Sequence, residues 1–352
     1  MWWKAPWSLG RVVAALVVLA SVAQAAAAQT FDLVRSRGTV VCGLPASPSG
    51  LTERDDRETG REVSMGSEFC RAVAAATLGD ARRITLVSLP EESGVSALES
   101  GAVDVLFQNW TLVHDGRHTV DFTAVIFYDS QAFLARRSQG FGALATLRQP
   151  AVACIASHAG SLSAVQDYIH DNALSFLSLR VFPSRAEAGL AFLAGDCAIY
   201  VHDASVLASV AAGARSSDPT PEPTSAFVIL PERIGKKPLG AGVRSDDNSW
   251  FDLVKWVVFA TIAAEEYGLT ATNVDQMMTA SDPTLRRLLG AEPGLGAPLR
   301  LDDGWAYRII RQVGSYGEIF ARVFAMENGD QPDRGLNALW TQGGLLYAMP
   351  LR

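Results

Sequence analysis

Runs of lysine and arginine are missing from this sequence, and with them the electrostatic footprint of a nucleic-acid binder. No C-x-x-C pair occurs, which removes the commonest thiolate frame for a structural metal. The apolar run that opens at Val12 is interrupted by Ser21 and Gln24 and falls short of the ~20 residues that span a bilayer. No cysteine stands beside the small-residue stretch that ends at Ala28, so that stretch does not read as a lipid-attachment signal. No serine or cysteine sits in an activated setting, which leaves covalent catalysis without a nucleophile.

What is present begins with the opening segment. Lys4 and Arg11 precede the apolar run, and an alanine-rich A-x-A-like stretch follows it, the three-part pattern of a secretory signal. The expected cut lies between Ala28 and Gln29, giving an exported, soluble mature chain. The net charge of the whole sequence is −7. The segment removed carries two cations and no acid, so the mature chain stands at about −9. Hydrophobic residues make up 49% of the sequence, ample for a core, and the length allows roughly two domains. Cys42, Cys70, Cys154 and Cys197 remain in a chain bound for an oxidising compartment. Four cysteines permit three connectivities, of which the sequential pairing places one staple in each half of the chain.

Past residue 28, strand-like and helix-like segments alternate. "GTVVCGL", "RRITLVSL" and "AVDVLFQ" read as strands, and "GSEFCRAVAAATLG" and "EESGVSALESG" as helices, the first closed by Gly79. "AVACIAS", "LSLRVFP" and "CAIYVHD" repeat the pattern with helices between and after them. Such alternation predicts α/β architecture, with parallel strands covered on both faces. "VDFTAVIFYDSQAFLARR" is too long and too β-rich for one strand of a small sheet and reads as a crossover between two lobes. "AFVILPERIGKKPLGAGVRSDD" is a second extended stretch and closes the hinge. Two lobes follow: residues 29–133 with 230–352 form the first, and 134–229 the second. Ligands of such folds lie in the cleft, outside the carboxyl ends of strands.

A strongly apolar helix and then a helical segment of about eighty residues end the chain. Trp250, Leu253, Val254, Val257, Val258 and Thr261 recur at helical spacing, a core-facing stripe. Trp305, Ile309 and Val313 share another helix face, with Asp302 and Asp303 near its start. The loop "NWTLVHDGRH", residues 109–118, follows a strand's carboxyl end and precedes the first crossover, a position that favours a cleft lining.

"WFDLVKWVVFATIAAEEYGLT", "SYGEIFAR" and the ending "RGLNALWTQGGLLYAMPLR" resemble the periplasmic substrate-binding proteins of general (polar) amino-acid ABC transporters. These form a branch of the family 3 solute-binding proteins. The resemblance covers essentially the whole mature chain, and the four cysteines fall where that branch places its own. It implies a type II periplasmic binding protein: two α/β lobes, two extended hinge crossovers and a helical C-terminal extension. It also implies a closed form that docks on a membrane permease, a small polar solute such as an amino acid as ligand, and a monomer without cofactor.

Carried over residue by residue, the resemblance gives an incomplete pocket. Asn109, Trp110 and Thr111 match the family's motif, but His114 stands where an arginine forks onto the ligand's α-carboxylate. Arg117 replaces that arginine only if the loop shifts by three residues. The family's Ser-Gly-Thr at a helix N-terminus reads "SHAGS", keeping Ser157 and Gly160 and putting Ala159 at the hydroxyl position. Asp203 matches the acid that accepts the ligand's α-ammonium, and as a plain structural residue it would cap the following helix.

Three other classes compete. His114 and His118, four apart, would suit a transition metal on a helix, but Gly116 opposes a helix and no third ligand is evident. His114, Asp115 or Glu68 would serve an enzyme as acid or base, with no geometry to fix them. An accessory or sensor protein that keeps the fold with a diverged or lost amino-acid site is the main alternative. The expected function is the solute-binding component of an ABC uptake system, with no enzymatic activity, metal or nucleic-acid partner.

Overall fold

Five of the described helices begin at a side chain that caps them: Ser64, Ser184, Asp247, Asp282 and Ser315. In a computed structural model, which describes residues 29–45, 54–55, 62–90, 93–109, 119–157, 159–216, 226–324 and 333–351, the expected signal segment lies outside the described residues. α1 (Thr30–Arg37) leads into β1 (Val40–Pro45), followed by the short ribbon of β2 (Arg54–Asp55) and β3 (Glu62–Val63). Ser64 and Ser67 form a reciprocal capping box on α2 (Met65–Leu78), and Gly79 closes that helix in the left-handed region at φ 77°. β4 (Ile84–Leu89), α3 (Gly94–Glu99) and β5 (Val105–Asn109) complete this first series. β6 (Val120–Arg136) then runs unbroken for 17 residues. The second series is β7 (Ala151–Ala156), α4 (Ala159–Asp171), β8 (Leu177–Phe182), α5 (Arg185–Ala194), β9 (Ile199–Asp203) and α6 (Ala204–Ser216). β10 (Phe227–Ile229) and β11 (Ile234–Arg244) return the chain to α7 (Asn248–Glu266), and shorter helices follow: α8 (Val274–Met277), α9 (Pro283–Leu288), α10 (Trp305–Gln312) and α11 (Tyr316–Val323).

The strands form one sheet in the order β4-β1-β5-β11-β6-β9-β7-β8, with β10 beside β6. β1, β4 and β5 are mutually parallel, as are β7, β8 and β9. Between the two parallel blocks lie the antiparallel β11 and β6. Local reasoning expects β6 to be a crossover because no small sheet supports so long a strand. The structure makes it a strand throughout, because it changes partners along its length. Residues 120–131 pair with β11, 131–135 with β9, and 134–136 with β10. The close pass of the two long strands needs a glycine: a Cβ on Gly240 would lie 2.1 Å from the Phe122 ring and 2.7 Å from the carbonyl oxygen of Ala124.

Each parallel block is covered on both faces. Val40, Cys42 and Leu44 enter a large core with α2, α7, α10 and α11, whereas Val41 faces Leu98 of α3. In the other block Phe133 and Ala135 pack with Ile155 and Val165, and Ala132 and Leu134 with Phe192 and Leu207. The alternation along β6 is the two-residue period of a strand. The stripe read from sequence on α7 is buried at every position, with Trp250 and Leu253 fully enclosed. Cys42 is bonded to Cys70, tying β1 to α2, and Cys154 to Cys197, tying β7 to the connection between α5 and β9.

The C-terminal segment is strapped to α7 and to the middle of β6. Arg334 makes a two-armed ion pair with Glu265, and the Trp340 indole N–H donates to Glu266 at 3.1 Å. Asn337 accepts from the Tyr128 N–H at 2.7 Å and donates to the Tyr128 carbonyl at 3.0 Å. An amide side chain has both functions, so it substitutes for a strand on the edge of β6 that β9 does not reach. Asn337→Ala is expected to cost ~2 kcal/mol, since it strips both partners from a backbone unit under the strap. Denaturant unfolding of the two proteins measures it, and a loss within error of zero would mean that solvent replaces the amide.

Candidate functional site

The two parallel blocks point at each other. β5 is parallel to β6 and ends at Asn109, level with Leu239 of β11, which in turn pairs with Phe127 of β6. β9 runs against β6 and ends at Asp203, opposite Gln131. β7 lies parallel to β9 and ends beside it at Ala156. The carboxyl ends of both blocks therefore face the stretch of β6 from Phe127 to Gln131, four residues or ~13 Å of extended chain. That is the width of a small polar solute with its contacts, set where open α/β sheets place their ligands.

A group of buried polar side chains, Asp129, Gln131, His202, Asp203 and Ser205, lies along or beside this stretch. Asp203 is buried, with 3% of its side chain exposed, and pairs with the ammonium of Lys237, itself 24% exposed. Lys237 sits opposite Asp129 in the β11–β6 register. Asp129 accepts from the Ser205 hydroxyl at 2.5 Å and from the Ser130 N–H at 2.8 Å. Burial, and after it the charge of Asp203, pushes the Asp129 carboxyl up to about 6 despite those two donors. Two carboxylates and one ammonium thus share the junction of the two blocks, where apolar strand residues would otherwise be expected.

The residues read from sequence divide three ways. Asp203 ends β9 and directly precedes the first turn of α6, the position of a helix cap. Ser157 is exposed at the end of β7, its N–H donating to Phe182 at 2.9 Å, and Gly160 lies in the first turn of α4. Asn109 is the last residue of β5. Trp110, Thr111, His114 and Arg117 lie outside the described residues, as do Asp115 and His118. Glu68 is 1% exposed and is held by Arg71 at 3.2 Å and by Arg322 at 2.6 and 2.9 Å, away from the junction. Both of its carboxylate oxygens are thus taken by guanidiniums, and that of Arg322 ties α2 to α11, the arrangement of a structural anchor. Among the described residues no three His, Cys, Asp or Glu side chains come together as metal ligands.

Asp129 and Lys237 are absent from the residues picked out by sequence. A signal did exist: Asp129 is a lone charge in the extended apolar stretch "VIFYDSQAF", and Lys237 is the second of two lysines in "IGKKPLGAG". A charge on a strand that is covered on both faces needs a partner or a function.

No protein-family model matches the chain. The glutamate/glutamine/aspartate/asparagine-binding protein of Rhodobacter capsulatus is 38% identical over 340 residues, covering 96% of this chain and 97% of that one. The general L-amino acid-binding periplasmic protein of Rhizobium johnstonii is 36% identical, covering 95% and 96%. An ABC transporter periplasmic binding protein from Brucella ovis, solved with glutathione bound, superposes at a TM-score of 0.76. It shares 35% identity and is covered over its whole length by 92% of this chain. Sequence likeness of this order along nearly the full chain, joined to the same two-block architecture, means that the chain belongs to the periplasmic amino-acid-binding proteins of ABC transporters.

Proposed function

We propose that this chain binds an amino acid or related small polar solute between two lobes and presents it to the membrane permease of an ABC uptake system. In this reading residues 29–133 and 230–352 form one lobe and 134–229 the other, with β6 and β10–β11 as the hinge. The observation that carries it is the convergence of the carboxyl ends of β5, β7 and β9 on one short stretch of β6. The names of the relatives support the ligand class, since they bind glutamate, glutamine, aspartate, asparagine or L-amino acids generally. The protein acts as a monomeric carrier without catalysis, exported by the segment 1–28 and working in the periplasm. Among the described residues no helix is long and apolar enough to cross a membrane.

A thermal-shift screen of the twenty L-amino acids, organic acids and small amines tests the reading. A solute at about a hundred times its dissociation constant adds ~2.7 kcal/mol to the fold, which raises the melting temperature by several degrees. No shift with any of them would remove the carrier function and favour the sensor alternative. For a solute that binds, the expected part played by the loop after β5 is read from pH. If His114 meets the anionic group, affinity weakens as pH rises through ~6.5, where an unperturbed imidazole loses its charge. If Arg117 does, affinity stays flat, because guanidinium keeps its proton. Titrations at pH 5.5 and 8 with His114→Ala and Arg117→Ala separate the two. A change under threefold in every case would place neither side chain on the ligand.

A further inference from the structure

We propose that the Lys237–Asp203 ion pair is a receptor for zwitterions: a bound amino acid inserts into it, its ammonium taking Asp203 and its carboxylate taking Lys237. This rests on the amino-acid-binding reading above and adds a carboxylate contact from the hinge strand. The pair stands at the junction where both sets of strand ends converge, with Asp203 on β9 and Lys237 on β11. It therefore ties the end of the second block to β11, one of the two long strands that lie between the blocks.

Exchange of partners is what makes such a pair a binding device. Asp203 is already withdrawn from water in the fold, so the cost of burying its charge falls on folding and not on binding. A ligand ammonium that displaces Lys237 leaves Asp203 with an equivalent partner. Lys237, on a flexible four-carbon stem and partly exposed, is then released to meet the ligand's carboxylate. Each charge keeps a partner throughout, and one ion pair becomes two. A simple amine would break the pair and leave Lys237 beside a like charge. A simple carboxylate would draw Lys237 off and leave Asp203 buried without its counter-ion, next to Asp129. Only a solute with both charges close together satisfies the site.

Calorimetric titration of the exported chain tests this with wild type, Lys237→Met and Lys237→Arg. Every L-amino acid that the wild type binds should lose at least tenfold in affinity in Lys237→Met and far less in Lys237→Arg. Propionate and ethylamine, each carrying one of the two charges, should not shift the melting temperature at concentrations where amino acids do. Unchanged or tighter binding in Lys237→Met would overturn the inference, as a lysine that merely blocks Asp203 raises affinity when removed. A shift with either single-charge probe as large as with an amino acid would overturn it too. Both results leave the carrier function intact, whereas no amino acid binding to the wild type overturns both. Circular dichroism identical to wild type qualifies each variant, and Lys237→Arg, which keeps the charge opposite Asp203, carries the test if Lys237→Met does not fold.

Discussion

Trp250→Ala is expected to lower the unfolding free energy by ~4 kcal/mol, the middle of the range for emptying a large buried aromatic site. Trp250 is fully buried in the first turn of α7, in the core shared by α2, α10 and α11. Its indole N–H donates to the carbonyl of Asp104 at 3.0 Å. The Asp104 carboxylate in turn accepts from the Val41 N–H at 2.7 Å and pairs with Arg37. The ring thus anchors α7 to the start of β5 and, through Asp104, to β1. Truncation opens a cavity and leaves a buried carbonyl without its donor. Trp250→Phe fills most of the volume and loses the hydrogen bond, so a cost of ~2 kcal/mol is expected for it. Guanidinium unfolding of the three proteins decides. Equal losses for Ala and Phe would mean that the hydrogen bond, and not the packing, carries the site.

The second large effect depends on pH. Asp129 is pushed up from the ordinary 3.8 to about 6, first by burial and then by the charge of Asp203. A carboxyl that holds its proton more tightly in the fold than in the open chain contributes stability that is complete below the lower value. That contribution is lost as pH rises through the higher one. The interval corresponds to on the order of 3 kcal/mol at about 1.4 kcal/mol per pH unit. Asp129→Asn does not titrate, and its amide keeps an acceptor for the Ser130 N–H and offers a donor to Ser205. Relative to wild type, Asp129→Asn should therefore be near neutral at pH 4 and more stable by ~2–3 kcal/mol at pH 7.5. Unfolding curves at the two pH values measure it. A difference independent of pH would show that Asp129 does not carry the titration. An acid retained at such a cost beside Lys237 and Asp203 fits a site that gives up stability for ligand contact.

Much of this molecule is readable along the chain. The alternation of strands and helices, the closing glycine of α2 and the stripe on α7 all rest on interactions within a few residues. Period and capping chemistry express such interactions directly. The α/β class with covered faces follows from them, and the even set of cysteines is a plain count. Membership of the family is equally legible, because the motifs of α7, α11 and the C-terminal strap are contiguous segments.

What only the tertiary structure decided is how distant segments share one place. β6 reads as too long for a strand because a local pattern cannot show that two blocks use it in turn. Asn337 reaches Tyr128 across 209 positions, and the amide's role as a strand edge exists only once that edge is left open. Asp129, Asp203 and Lys237 are three separate charges in the sequence, each of which a helix cap or a solvated strand end would explain. The antiparallel register of β11 on β6 and of β9 on β6 sets them side by side in a buried junction. Register is fixed by the burial of whole strand faces, a property of the assembled sheet. From that burial come the raised proton affinity of Asp129 and the held ammonium of Lys237, since desolvation and charge coupling act through space and not along the chain.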